Sequence, residues 1–423
     1  MRIEELVNYF DYRYPEPQDG RPFSVQTEVA AAPWAPEHRL LRIGVKGRHV
    51  SSVAGANLVF LIDVSGSMQP ETRLPLLKKG LSMLAQELDA RTKISIVVYA
   101  GGSGMVLPPT SGENKRAILS ALDRLEAGGS TNGGEGIRLA YATAAGTFVP
   151  GRVNRVILAT DGDFNVGVTS PADLVDLVQQ RAKSGIYLTV LGVGDDNFND
   201  SLLEKLADKG NGNYAYLDTP AEARKVLVEQ ATRTLVTIAK DVKIQIEFNP
   251  REIESFRLIG YENRVLSHRD FNDDTKDAGE IGADHRVTAL YELVPRGRAT
   301  GEDPLKYQKE ISLSPAARSG ELATVKLRYK DPSGAAGDRG TPAETERSAL
   351  VETVARDSHA EPAADFRFAA AVAELGMLLR GSPYKGAASY DQVIEIAAGS
   401  ARDDRQRELV ELARRAGRLA GAR

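Results

Sequence analysis

The chain has 423 residues, 42% of them hydrophobic, with 54 basic against 58 acidic side chains and a formal net charge of -4. One core rarely grows past about 250–300 residues, so two or three domains are expected, and the near-balanced charge excludes the basic footprint of a nucleic-acid-binding protein. The absence of cysteine excludes disulfides, thiolate catalysis and zinc–thiolate sites.

In chain order, "MRIEELVNYF" puts Ile3, Leu6, Val7 and Phe10 on one face and predicts an amphipathic helix. No run of about 18 apolar residues occurs, so no membrane span is expected, and no signal peptide is visible ahead of the helix. Phe23, Val25, Thr27 and Val29 alternate with polar residues, as do Leu41, Ile43 and Val45. Period two with one polar face predicts half-exposed antiparallel strands within residues 21–46. The character changes at Asn57: "NLVFLID" carries apolar residues on both faces, as a strand buried in a parallel sheet does.

A helix with Leu77, Leu81, Leu84 and Leu88 in register follows, then the strand "KISIVVYA" and the short "GMVLPP". Helices are expected near 114–125 and 133–147, a strand at "VNRVILATDGD", a helix from about Pro171 to Lys183 and a strand at "IYLTVLGVG". A helix near 200–208, the strand "NYAYLD" and a helix near 220–236 complete the series. Strands alternating with helices predict a doubly wound, mostly parallel α/β sheet over residues 55–238.

Strict alternation then returns. "DVKIQIEF" puts Val242, Ile244, Ile246 and Phe248 on one face, and "RVTALYELV" and "ATVKLRY" read alike. Two strands alone are marginal, so 21–46 is expected to pair with 240–330 in one β-sandwich into which the α/β unit is inserted. Two separate small β domains are the alternative. The domain plan is therefore 1–54 (helix and strands), 55–238 (α/β), 239–330 (sandwich), a Gly/Pro/Ala-rich linker at 331–364 with one strand near Ser348–Val354, and a helical segment at 365–423. In that segment Phe368, Val372, Leu375 and Leu379 mark one helix, a second follows Ser389, and a third runs through Leu409, Val410, Leu412 and Ala413.

The chemistry concentrates in "FLIDVSGSMQP". Asp63 stands where the first parallel strand ends, and open α/β sheets bind ligands beyond the carboxyl ends of their strands. Asp63, Ser65 and Ser67 offer oxygens at alternate positions, with Gly66 allowing a tight turn. Oxygen-only donors suit Mg²⁺ or Mn²⁺. Thr131 in "GGSTNGGEG" and Asp161 in "ATDGDFN" add matching groups from two further loops. In an octahedral plan these five residues supply oxygens directly or through water, and at least one position stays open for an incoming carboxylate. The plainer reading is a polar turn whose serines cap the next helix; another is a scaffold that binds metal weakly. Asn132 reads as a helix-start residue and Asp163 as a turn residue.

Other motifs fail on spacing. "DFNDDTKDAGE" has Thr275 and Ile281 where a calcium-binding EF-hand needs Gly and Glu, so it is expected to be a solvated loop. The histidines at 38, 49, 268, 285 and 359 form no HExxH pair, and no phosphate-binding G-x-x-x-x-G-K-[ST] loop occurs. Trp34 reads as a core or domain-contact anchor.

Together, "DVSGS" at 63–67, Thr131 in "GGSTN" and Asp161 in "TDG" resemble the metal-ion-dependent adhesion site of von Willebrand factor A domains. The resemblance spans about 55–238. It implies a Rossmann-like fold in which Asp63, Ser65 and Ser67 are core ligands of Mg²⁺ (or Mn²⁺, with Ca²⁺ as a further alternative), and Thr131 and Asp161 act directly or through water. It also implies a protein partner that supplies Asp or Glu to the metal, and a final helix whose movement couples ligation to the flanking sandwich. "RIEELVNYFDYRYP", "DFNDDTKDAGEIGADHRVTALYELVP" and "DFRFAAAVAELGMLLRGSPYKG" resemble bacterial YfbK-like von Willebrand A proteins, many of which are predicted envelope lipoproteins. The resemblance implies the bacterial cell envelope or periplasm, with the export signal expected outside this chain; the cytoplasm is the alternative. The expected function is non-enzymatic, metal-dependent protein binding. The alternatives are a metal-assisted hydrolase or phosphoryl-transfer enzyme using Asp63, or a structural envelope protein with a weak metal site. An aspartyl-phosphate enzyme would want an acid at position 65, which is Ser65.

Overall fold

A computed structural model describes residues 2–18, 20–50, 55–129, 133–162, 170–194, 200–229, 237–261, 279–297, 313–330, 349–357 and 360–421. The chain opens with helix α1 (Ile3–Asn8) and strands β1 (Phe23–Ala32) and β2 (Ala35–Gly47). Then come β3 (Ala56–Asp63), α2 (Leu74–Glu87), β4 (Lys93–Tyr99), β5 (Ser103–Ser111), α3 (Lys115–Asp123), α4 (Gly133–Gly146) and β6 (Val153–Thr160). The α/β series closes with α5 (Pro171–Lys183), β7 (Ile186–Val193), α6 (Asp200–Lys209), β8 (Tyr214–Leu217) and α7 (Pro220–Arg224), which runs into a π-turn at Lys225–Glu229. Strands β9 (Thr237–Phe248), β10 (Ile253–Leu258), β11 (Gly279–Gly282), β12 (Arg286–Pro295), β13 (Ala323–Lys330) and β14 (Ala349–Ala355) follow. Helices α8 (Ala364–Arg380), α9 (Tyr390–Ser400) and α10 (Asp404–Gly421) end the chain. No described helix is long and apolar enough to cross a membrane.

Strands β3 to β8 form one six-stranded sheet in the order β5-β4-β3-β6-β7-β8. All neighbours are parallel except the edge strand β5, which the short "GMVLPP" run builds antiparallel to β4. Every residue of β3 is buried, because helices cover both faces. Leu58, Phe60 and Ile62 share a core with α2, α3 and α7, while Val59 and Leu61 share one with α4, α5 and α6. Consecutive apolar residues are needed for just this reason: each face of the strand meets a different helical layer. The order reverses between β3 and β6, so their carboxyl ends flank the switch point at which such sheets bind ligands.

The alternating segments build a second unit. Strand β2 pairs antiparallel with β12, setting Leu41 opposite Tyr291 and Ile43 opposite Ala289. One sheet runs β1-β2-β12-β10, the other β11-β9-β13-β14. Phe23, Leu41, Ile43, Val45, Leu293, Val325 and Leu327 share the core between them, and Thr27 Oγ1 donates to Val354 O at 3.0 Å where β1 meets β14. The α/β unit therefore leaves one sandwich after β2 and re-enters it at β9. The strand expected near 348–354 is β14, paired with β13. Of the helix expected at 220–236, residues 220–229 are helical and 230–236 lie outside the described residues. The acidic run beginning at Asp270 lies outside them up to Asp277, and Gly279 and Glu280 belong to β11.

A third core joins the two ends of the chain. Ile3, Val7, Phe10, Tyr12 and Tyr14 pack with Trp34, Leu40 and the apolar face of α8, α9 and α10. The N-terminal segment lies flat on β2 because position 44 is glycine: a Cβ there would sit 2.1 Å from Tyr14 Cε1. The helical layer also meets the α/β unit. Lys225 Nζ lies 3.5 Å above the Tyr9 ring, Tyr9 Oη donates to Glu222 at 3.2 Å, and Arg405 pairs with Glu229 at 3.5 Å.

Glu374, on α8, is buried within this third core, and burial pushes its carboxyl up to about 7. One oxygen accepts from Ser389 N at 3.2 Å, at the start of α9; the other accepts nothing among the described residues. A carboxyl with a raised folded-state pKa stabilises the fold fully below its unfolded value near 4.5, and that contribution is lost as pH rises toward 7. Glu374→Gln is therefore expected to lie within about 1 kcal/mol of the wild type at pH 5 and to exceed it by about 3 kcal/mol at pH 8, measured by urea unfolding at both values. A gain of the same size at pH 5 would show that ionisation is not the cause.

Candidate metal-binding site

Asp63 is the last residue of β3 and is fully buried. Its Oδ1 accepts from Ser65 N at 2.9 Å, closing the tight turn that Gly66 continues. Its Oδ2 accepts from Tyr99 Oη at 3.0 Å and from Thr160 Oγ1 at 3.1 Å. Tyr99 lies beside Asp63 because the two are register partners in neighbouring parallel strands; Thr160 is there because β6 ends on the other side of β3. Burial raises the Asp63 pKa and the nearby Asp161 charge adds to the rise; the hydrogen bonds from Ser65 and Tyr99 oppose both.

Ser65 and Ser67 turn toward each other, with their Oγ atoms 3.0 Å apart. Ser65 stands at the N-cap of the 3-10 turn Gly66–Met68, yet its side chain makes no capping hydrogen bond. The plainer reading of "DVSGS", serines that cap the next helix, therefore does not describe Ser65. The loop is pinned from a second direction: Gly66 N donates to Gly129 O at 3.1 Å and Gly128 N to Val64 O at 2.7 Å. Thr131 and Asn132 follow two and three residues later and lie outside the described residues, as does Asp163.

Asp161 immediately follows β6, with its side chain only 2% exposed. Its Oδ2 accepts from Arg73 Nη1 at 2.8 Å, and the same nitrogen donates to Ser67 O at 2.6 Å. Two carboxylates and two hydroxyls thus converge at the carboxyl ends of the two strands that flank the switch point. An all-oxygen donor set with two carboxylates suits a hard divalent cation, so these residues fit such a metal. Among the described residues no group of three or more His, Asp or Glu side chains is placed to hold a metal, here or elsewhere, so the site's donors are two carboxylates supplemented by hydroxyls.

Three residues in this arrangement were not legible as site residues. Tyr99 reads as the apolar end of a strand, and Arg73 as the charged flank of a helix. Thr160 lies inside the "TDG" motif and is the one that the motif itself could have signalled.

The sequence matches the von Willebrand factor type A domain family over residues 57–230. It also matches the C-terminal region of uncharacterized protein YfbK over 233–419 and a von Willebrand factor family over 1–42. It is 42% identical over 415 residues to uncharacterized protein YfbK of Escherichia coli, spanning 96% of this chain and 70% of that protein. The chain belongs to the YfbK family of von Willebrand factor A proteins. An inter-alpha-trypsin inhibitor heavy chain of Homo sapiens is 29% identical over 164 residues, which are 37% of this chain and 17% of that protein. The solved von Willebrand factor type A protein from Catenulispora acidiphila superposes with a TM-score of 0.51 at 16% identity, covering 95% of this chain and 91% of that one. That likeness extends the shared fold beyond the α/β unit to nearly the whole chain. Von Willebrand factor A domains are commonly protein-interaction modules, and this YfbK-family chain carries one between the two halves of its sandwich.

Proposed function

We propose that this YfbK-family chain is a non-enzymatic protein-binding module of the bacterial cell envelope that engages an Asp or Glu of its partner through a divalent metal. Asp63, Ser65, Ser67, Thr131 and Asp161 hold the metal, which is Mg²⁺, with Mn²⁺ and Ca²⁺ as alternatives. The bound cation would supply Lewis acidity for a carboxylate at its open position. The observation that carries the reading is the Ser65–Ser67 pair: two hydroxyls lie 3.0 Å apart beside Asp63, and Ser65 is not spent on capping.

The residues of the chain do the positioning. Tyr99 and Thr160 fix one Asp63 oxygen and the Ser65 amide fixes the other. A carboxylate tied on both oxygens is held in place as a ligand and is poorly disposed to attack, which disfavours Asp63 as the nucleophile of an enzyme. The surrounding interface, rather than one carboxylate, would set affinity and partner choice.

The test is capture from a bacterial envelope extract on immobilised protein, run with Mg²⁺, with chelator, and with Asp63→Ala. A partner identified by mass spectrometry and retained only with Mg²⁺ and intact Asp63 is the expected result. Replacing its contacting Asp or Glu by the amide should then release it. Equal retention in all three conditions would move recognition to another surface.

A further inference from the structure

We propose that Thr160 and Tyr99 are metal-selectivity residues: by holding one oxygen of Asp63 they restrict that carboxylate to single-oxygen ligation and set the site for Mg²⁺ against Ca²⁺. This rests on the metal-binding reading above and deepens it. Asp63 and Thr160 are both buried, at the ends of the neighbouring strands β3 and β6. Thr160 Oγ1 donates to Asp63 Oδ2 at 3.1 Å and accepts from Gly162 N at 3.3 Å. Gly162 has φ +98°, which glycine adopts without strain, and its amide folds back onto the hydroxyl. A hydroxyl carries one proton. With an amide donating into its oxygen, Thr160 is left to aim that proton at Asp63. Tyr99 Oη donates to the same Oδ2 at 3.0 Å from β4, on the other side of β3.

These hydrogen bonds decide how the carboxylate can ligate. Two donors occupy both lone-pair directions of Oδ2. Oδ1 accepts from Ser65 N at 2.9 Å and is thereby directed toward the turn that carries Ser65 and Ser67. A metal held by that turn would meet one oxygen of Asp63, fixed in direction. Mg²⁺ demands near-ideal octahedral geometry, whereas Ca²⁺ takes about six to eight oxygens in flexible geometry, often two of them from one carboxylate. A pinned carboxylate with one oxygen to offer suits the first ion and denies the second an extra ligand. Two hydroxyls that need not touch the metal would thus help to choose it, as outer partners of metal ligands do.

The experiment titrates the full chain with Mg²⁺ and, separately, with Ca²⁺ by isothermal calorimetry, with far-UV circular dichroism checking the fold. The wild type is expected to bind Mg²⁺ more tightly than Ca²⁺. Thr160→Val keeps the shape of the side chain and drops the donor; it is expected to weaken Mg²⁺ binding about tenfold while Ca²⁺ binding stays within about threefold. Tyr99→Phe, which removes the second donor, is expected to move the Mg²⁺ to Ca²⁺ ratio the same way. Thr160→Ser retains the hydroxyl and is expected to keep the wild-type ratio. A purely structural loss would weaken both ions alike. Equal weakening, or an unchanged ratio, in folded Thr160→Val and Tyr99→Phe overturns the selectivity role and leaves the metal site standing, as does a wild type that prefers Ca²⁺. No uptake of either ion by the wild type overturns both.

Discussion

Asp63→Ala is expected to abolish the rise in thermal stability that the proposed metal site predicts for the wild type in Mg²⁺, without changing the far-UV circular dichroism spectrum. Ligand that binds only the folded state stabilises it by about 2.7 kcal/mol at a hundred times Kd, so the wild-type shift is large enough to read in a thermal scan. The variant loses the one carboxylate that Ser65, Tyr99 and Thr160 all hold in place. The strand itself survives, because Leu58 to Ile62 remain packed between two helical layers. In the absence of metal the substitution also removes a carboxylate whose charged form burial disfavours. A Mg²⁺-dependent shift of undiminished size in Asp63→Ala would place the metal elsewhere in the protein.

Trp34→Ala carries the largest expected cost to the fold. Trp34 is the single tryptophan of the chain and is 1% exposed. It stands in the short turn between β1 and β2 and packs into the core shared with α8, α9 and α10. Its carbonyl accepts from Ala387 N at 2.9 Å, and Gln392 Nε2 donates to the neighbouring Pro33 O at 3.0 Å. Truncating a buried Trp to Ala costs about 3–5 kcal/mol through lost contacts and the cavity left behind. Guanidinium unfolding followed at 222 nm should show that loss, with the first transition assigned to the helical layer. Fluorescence of the wild-type Trp34 reports the same transition directly. A cost below about 1 kcal/mol would mean that the helices hold to the sandwich without it.

Lys225 and Glu222 contact Tyr9, and Glu229 pairs with Arg405, which ties the end of the von Willebrand factor A domain to the helical layer. These residues lie on α7 and the π-turn that follows it, the last described helical turns of the von Willebrand factor A domain. The helix therefore faces α1 and α10, the elements that close the third core.

Much of this was legible from local pattern. The apolar run at 58–62 specified a doubly covered parallel strand, and period two at 23–29 and 41–45 specified sandwich strands. Ser389 announced the start of α9, where its side chain accepts from Gln392 N at 3.1 Å. Asp63, Ser65, Ser67 and Asp161 stood out because acids and hydroxyls at the ends of buried strands are costly unless used. Their chemistry is local, set by residue type and by the end of a strand, and a sequence records both.

What only the tertiary structure decided is which groups meet those residues. Tyr99 and Thr160 reach Asp63 through the register of β4 and β6 on either side of β3, and register between distant strands is a property of the assembled sheet. Arg73 reaches Asp161 across 88 positions of sequence because the loop after β3 folds over the end of β6. The pairing of β2 with β12 closes a sandwich around an inserted domain, which is again a contact between remote segments. The sequence by itself determined the types of the candidate site residues and the kinds of strand; the fold decided their neighbours, since hydrogen-bond partners depend on distances that no local pattern carries.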